Sequence, residues 1–304
     1  MSNYNNFDHE RYDYSATIDL ADAANNNDIE KLKICLINEK PANIHHKEEL
    51  ALLCAINNGH LEIVKFLLTY PNLKEHAYIN GYKLGQEVPF TDSPLSLAAL
   101  HNHFDIVKYL LTSEDLVEKA SIRLRNDLAF QSACQCPNTK IIDYLCFSPE
   151  LNEHVNLKND HTFFKNIFQF GTIENLDYVL EKHIVGYPTE KTLQTCFEKI
   201  RFYETNTSKK LDYLFSLKGS ENINIYHNNN EFFKRAIENK DCESLTYIII
   251  EHSVHIYDLP NICQLLEDPK YEKIKDHIDK SLLYNTLHQT TFNNNTKENK
   301  KRKI

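Results

Sequence analysis

One six-residue segment occurs twice in nearly the same form, as Ile63-Val64-Lys65-Phe66-Leu67-Leu68 and as Ile106-Val107-Lys108-Tyr109-Leu110-Leu111. Five weaker copies accompany it, at Lys31–Leu36, Ile141–Cys146, Asn175–Leu180, Lys210–Phe215 and Ser244–Ile249. The second residues of the seven fall at 32, 64, 107, 142, 176, 211 and 245, so the steps are 32, 43, 35, 34, 35 and 34. A period near 34 with one insertion accounts for them all. Such a period constrains the fold strongly, because a unit this short buries its apolar face only by stacking on copies of itself.

A second feature keeps the same register. Leu73-Lys74-Glu75, Leu116-Val117-Glu118 and Leu151-Asn152-Glu153 follow their copies with steps of 43 and 35. Upstream of the second strong copy, Ser93-Pro94-Leu95-Ser96-Leu97-Ala98-Ala99 reads as a helix start, with serine as the cap and proline in the first turn. Gly59 and Asn102 stand where that helix ends in a left-handed residue before the second begins. Each unit is therefore expected to be helix, tight turn, helix, connector.

These residues resemble the ankyrin repeat, whose pattern runs roughly T-P-L-H-x-A-A-x-x-G-H-x-x-I-V-x-L-L-L. Ser93 to Leu111 follows it at nearly every position, and Asn58-Gly59-His60-Leu61-Glu62-Ile63-Val64 follows its second half. The resemblance implies an all-α fold, an α-solenoid of about seven helix-turn-helix repeats with a helical C-terminal cap. The expected organisation is a polar N-terminal segment over 1–15, the array over 16–250 with an inserted loop at 79–89, capping helices over 251–290 and a disordered basic tail over 291–304. Asp268-Pro269 opens the cap, and Tyr271, Ile274, Ile278 and Leu282 form its packing face. The usual Gly-Ala-Asp finger is replaced by connectors such as Ser148-Pro149-Glu150-Leu151-Asn152-Glu153-His154, read as an extra helical turn. Asparagine-rich arrays with this connector resemble ankyrin effectors of intracellular bacteria and ankyrin proteins of large DNA viruses.

Composition narrows the function classes. The net charge of −9 includes +4 in the last eight residues, leaving an acidic body unsuited to general nucleic-acid binding. The longest apolar run, Leu50 to Ile56, is too short to span a membrane, and Met1 to Tyr14 lacks the apolar centre of a secretory signal. Eight cysteines without a Cys-x-x-Cys pair read as reduced thiols, which implies a cytosol-like reducing compartment, or a host cytoplasm or nucleus for an effector. Lys300-Lys301-Arg302-Lys303 reads as a solvated terminus, with a nuclear-import signal as the alternative.

Cys134-x-Cys136, His45-His46, His101-x-His103 and His252-x-x-His255 lack the paired spacing of a zinc site and read as core thiols and surface imidazoles. No nucleophile elbow or nucleotide loop occurs. The expectation is therefore no catalytic residue, no metal and no cofactor. What remains is a monomeric protein-binding module with a concave acidic face; an enzyme with a site assembled across repeats and a self-assembling structural array are the rival classes. By the resemblance, the partner-facing positions follow the paired small residues, at Asn57, Asn58, Leu100, His101, Gln135, Gln169 and Phe170. Further positions lie on the preceding connectors, at Phe90, Asp92, Arg125, Asp127, Asn159 and His161. Tyr82 in the inserted loop joins them as a large side chain with a hydroxyl. The partner itself is not legible, because repeat surfaces carry no readable code.

Overall fold

The structure is a computed structural model that describes residues 11–81, 93–155, 157, 161–202, 207–284 and 286. The chain divides into two units, 1–186 and 187–304. Both are built from helix pairs, and among the described residues extended pairing is limited to one bridge, Leu157 with Val185. The expected all-α fold of stacked helical hairpins is what the chain adopts.

The first unit holds five pairs. These are α1 (Tyr14–Asn25) with α2 (Ile29–Leu36), α3 (Leu50–Asn57) with α4 (Leu61–Thr69), and α5 (Pro94–Leu100) with α6 (Phe104–Thr112). Then come α7 (Leu124–Ala133) with α8 (Lys140–Phe147), and α9 (His161–Phe170) with α10 (Ile173–Glu181). First helices pack side by side from α1 through α3, α5 and α7 to α9, while α4, α6 and α8 form a parallel row. The second unit pairs α11 (Glu190–Glu198) with α12 (Thr207–Ser216), α13 (His227–Glu238) with α14 (Cys242–Glu251), and α15 (Pro260–Leu266) with α16 (272–284).

Close packing of first helices buries the residues near their C-terminal ends, most of them alanine. Ala23 and Ala24, Ala55 and Ile56, Ala98 and Ala99, and Ala133 and Cys134 fill these slots, each no more than 1% exposed. The turn that follows is one geometry used four times. Asn27, Gly59, Asn102 and Lys240 take left-handed φ values of 58°, 75°, 59° and 57°. The next N–H, of Asp28, His60, His103 and Asp241, returns 2.9 Å to the carbonyl of Ala23, Ala55, Ala98 and Ala236. This is the backbone closure of a Schellman motif, which satisfies a helix-end carbonyl and reverses the chain. Ser93 caps α5 by accepting from Ser96 N, with Pro94 in the first turn, as the sequence predicts.

The recurring tyrosine slot has a structural use. Tyr178 donates to Asp143 of the preceding pair, Tyr247 donates to Asp212 at 3.4 Å, and Lys65 Nζ lies 6.0 Å over the Tyr109 ring. The third position of one copy therefore meets the fourth position of the next. Thr246 continues this pattern toward the cap, where its hydroxyl lies 2.6 Å from His277 Nε2 and 3.2 Å from Ser281 Oγ on α16. With α15 packed on α13, the capping segment is itself a helix pair. Tyr271, Ile274 and Ile278 are buried as expected, and Leu282 is half-buried.

The connectors differ from the expected extra helical turn. Leu73 N bonds Tyr70 O at 3.1 Å, Leu116 N bonds Ser113 O at 3.3 Å and Leu151 N bonds Ser148 O at 3.2 Å, a single β-turn each time. The chain then runs back along its own second helix, where Ala77, Ala120 and Val155 donate to the carbonyls of Leu67, Leu110 and Leu145. His76 and His154 donate to the turn carbonyls of Tyr70 and Ser148, and Lys119 does the same to Ser113. The three leucines are buried beneath the turn. These contacts account for the leucine-x-acid-base spacing.

Candidate functional site

The candidate site is the row of first-helix ends in the first unit. At α1, α3 and α5 the end is set by the left-handed turn described above, whereas α7 and α9 end without one. Asn57, Asn58, His101 and Gln135 are exposed, Leu100 and Gln169 are half-buried, and Phe170 retains 43% exposure.

Hydrogen bonds join these ends across repeats. Asn58 Nδ2 donates to Asn25 Oδ1 and to Cys54 O, both at 2.9 Å. His103 Nε2 reaches Asn57 O at 3.1 Å, just as His60 Nε2 reaches Asn25 O at 3.1 Å. Cys136 donates to Leu100 O, Asn138 Nδ2 donates to Asn102 Oδ1 at 3.0 Å, and Asn166 Nδ2 donates to Gln131 Oε1 at 3.1 Å. Gly59 is required twice here, for its positive φ and because a Cβ would stand 2.7 Å from His103 Cε1. These bonds link α1, α3, α5, α7 and α9, and of the predicted positions they involve Asn57, Asn58 and Leu100.

The remaining predicted positions fall elsewhere. Tyr82, Phe90, Asp92 and Asn159 lie outside the described residues, and of His161 only the backbone, at the start of α9, is described. Arg125 is half-buried at the start of α7. Asp127 is not a surface residue: it is 2% exposed, with Oδ1 3.2 Å from Arg123 Nε. Left-handed φ values of 53° at Arg125 and 57° at Asp127 turn the carboxylate inward. Burial raises its carboxyl above the ordinary range, and Arg123 opposes that.

Glu49, which sequence reasoning missed, occupies the equivalent slot two repeats earlier. It is 1% exposed, has φ 69° and lies 2.6 Å from His45 Nδ1, whose ring stacks on Tyr78 at 4.1 Å. Burial raises the Glu49 carboxyl, with the His45 contact opposing it. The available signal was the spacing, since both acids carry a base four residues upstream and precede a leucine. Both serve the connector side of the fold, away from the helix ends.

Charge is absent from the middle of the row. Helices α3 and α5 carry no charged residue, whereas each of α2, α4, α6, α8 and α10 carries at least two. The other first helices do carry charge, Asp19 and Asp22 on α1, Arg125 and Asp127 on α7 and Lys165 on α9, so it is the middle of the row that is uncharged. Each unit also holds a recess. One of about 270 Å³ is lined by Cys146, Phe147, His154 and Lys182 in the first unit. Another of about 90 Å³ is lined by Phe197, Glu198, His227 and Glu231 in the second. Among the described residues no trio of His, Cys, Asp or Glu is placed to hold a metal, and no helix is long and apolar enough to cross a membrane.

Comparison with known proteins gives one match. Residues 20–111 fit the family model of ankyrin repeats in three copies. No curated protein and no solved structure matches the chain. The matched segment runs from α1 to the end of α6, and Lys240 repeats its turn in the second unit. Residues 20–111 are thus similar to three ankyrin repeats.

Proposed function

We propose that the chain binds a partner protein, without catalysis, along the first-helix ends of its first unit, the side that the ankyrin resemblance makes concave. The observation that carries this reading is the uncharged edge itself. A chain of net charge −9 leaves α3 and α5 free of charge and presents Leu100 and Phe170 among carboxamides. Charge depletion with an aromatic anchor is the compositional mark of an interface core, and a large apolar side chain on a rigid surface supplies binding energy cheaply. The rigidity comes from the turn closures and the side-chain ladder, which fix the row before a partner arrives.

The test is affinity capture from cell lysate with the parent chain and with a Gln135→Glu, Phe170→Glu variant. Both positions are exposed, so the variant keeps its helical circular dichroism and unfolding midpoint. Loss of a specific protein from the variant supports the reading. Identical capture by parent and variant refutes it.

A further inference from the structure

We infer that the start of α3 is a two-state turn. Lys47, Glu48 and Glu49 rewind from left-handed to right-handed backbone, which lengthens α3 by about one turn and unfastens the connector before α3 from the connector after α4. The inference stands independently of the binding surface proposed above. Three observations support it.

The first is a conflict between local sequence and local geometry. Helices α1, α5 and α11 start on a side-chain cap, with Asp13, Ser93 and Thr189 accepting from the N–H groups of Ala16, Ser96 and Thr192. Helices α3, α7 and α13 lack that cap and start on left-handed residues instead. In α13 these are Asn228, Asn229 and Asn230, a residue type that visits this region with little penalty. In α3 they are Lys47, Glu48 and Glu49 at φ 47°, 55° and 69°, strong helix formers whose Cβ disfavours positive φ. The local preference of Lys47-Glu48-Glu49 is therefore the right-handed turn that the fold withholds.

The second is a backbone ladder with two rungs missing. Leu50 N bonds His46 O at 3.1 Å and Leu53 N bonds Glu49 O at 3.0 Å, but no such bond joins Ala51 to Lys47 or Leu52 to Glu48. Rewinding supplies both rungs and extends α3 beyond its eight residues. The third is the clasp that holds the left-handed state. Glu49 is 1% exposed, its Oε1 lies 2.6 Å from His45 Nδ1, and the His45 ring stacks at 4.1 Å on Tyr78 of the following connector. Glu49 Oε2 is buried without a hydrogen-bond partner among the described residues, so the clasp is incomplete. Reversing the hand at Glu49 redirects its Cβ, and the carboxylate leaves His45. The turn thus decides whether the two connectors are fastened.

The experiment is residue-resolved amide hydrogen exchange on the full-length chain. Ala51 and Leu52 are read against Leu67, in the core of α4, so that changes in global stability cancel. Lys47→Asn with Glu48→Asn installs the residue type that α13 uses and favours the left-handed state. Glu49→Ala removes the clasp and supplies the best helix former. Relative to Leu67, Ala51 and Leu52 are expected to exchange at least about threefold faster in the asparagine variant and at least about threefold slower in Glu49→Ala. Unchanged exchange in both variants, or a shift of the same sign in both, overturns the inference. If Glu49→Ala does not fold, the asparagine variant decides alone. A fixed left-handed turn is relieved by asparagine and predicts exchange that is unchanged or slower, whereas the two-state turn predicts faster exchange.

Discussion

Gly59→Ala isolates the turn on which the repeat geometry depends. The new methyl group meets two obstacles. A non-glycine residue at φ 75° costs about 1–2 kcal/mol. The Cβ also stands 2.7 Å from His103 Cε1 and 2.9 Å from Nδ1, so the imidazole must move and release Asn57 O, a net loss of about 0.5–1.5 kcal/mol. The expected destabilisation is about 2–3 kcal/mol. Urea unfolding followed by circular dichroism reads it, with His103→Ala and the double variant completing a cycle. If the collision contributes, His103→Ala removes the obstacle in advance, so Gly59→Ala costs about 1 kcal/mol less in that background. A Gly59→Ala variant within about 0.5 kcal/mol of the parent would refute the turn geometry, and strict additivity would refute the role assigned to His103.

Three further outcomes follow from burial. Leu110 is fully buried between α6 and its neighbours, so Leu110→Ala is expected to cost about 2–5 kcal/mol in urea unfolding; a change below about 1 kcal/mol would contradict its place in the core. Burial raises the Glu49 carboxyl above its ordinary 4.5, so the folded state binds the proton more readily than the unfolded one, and the cost of ionisation grows as pH rises from about 4.5 toward neutrality. The stability of Glu49→Gln relative to the parent should therefore increase over that interval, and a constant difference would exclude the linkage. His252 shows the opposite sign: burial against Phe215 lowers its imidazole below 6.5, so its neutral form stabilises the fold above that pH and the contribution is lost on acidification. His252→Leu should gain on the parent as pH falls from 7 to 5, measured by the same unfolding midpoints.

The parts of the fold that were legible in the sequence are those fixed by local stereochemistry repeated in register. Ser93-Pro94 marks a helix start, Gly59 and Asn102 mark left-handed turns, and Tyr271, Ile274 and Ile278 mark the buried stripe of the cap. The tyrosine slot was visible as a recurrence, although its link to the third position of the preceding copy appears only in three dimensions.

What escaped is set by tertiary context. Nothing local in Arg125-Asn126-Asp127 announces left-handed backbone that turns an aspartate inward, and Glu49 required the same unrecognised device. The β-turn connectors are not announced locally, because the side chains that close them, His76, Lys119 and His154, differ in type while sharing one hydrogen bond. The placement of Asn57, Asn58, Leu100, His101, Gln135, Gln169 and Phe170 near first-helix ends is legible from the repeat register. The absence of charge from α3 and α5 is hidden in net composition, which averages over faces that folding separates.

The central claim is that the uncharged first-helix ends receive the partner, and photocrosslinking tests it most directly. A benzophenone side chain is installed in place of Gln135 in one protein and of Glu62, exposed on α4, in another; both are irradiated in lysate. The account predicts a discrete adduct from position 135 and none from position 62. An adduct from position 62 with none from position 135 would contradict it.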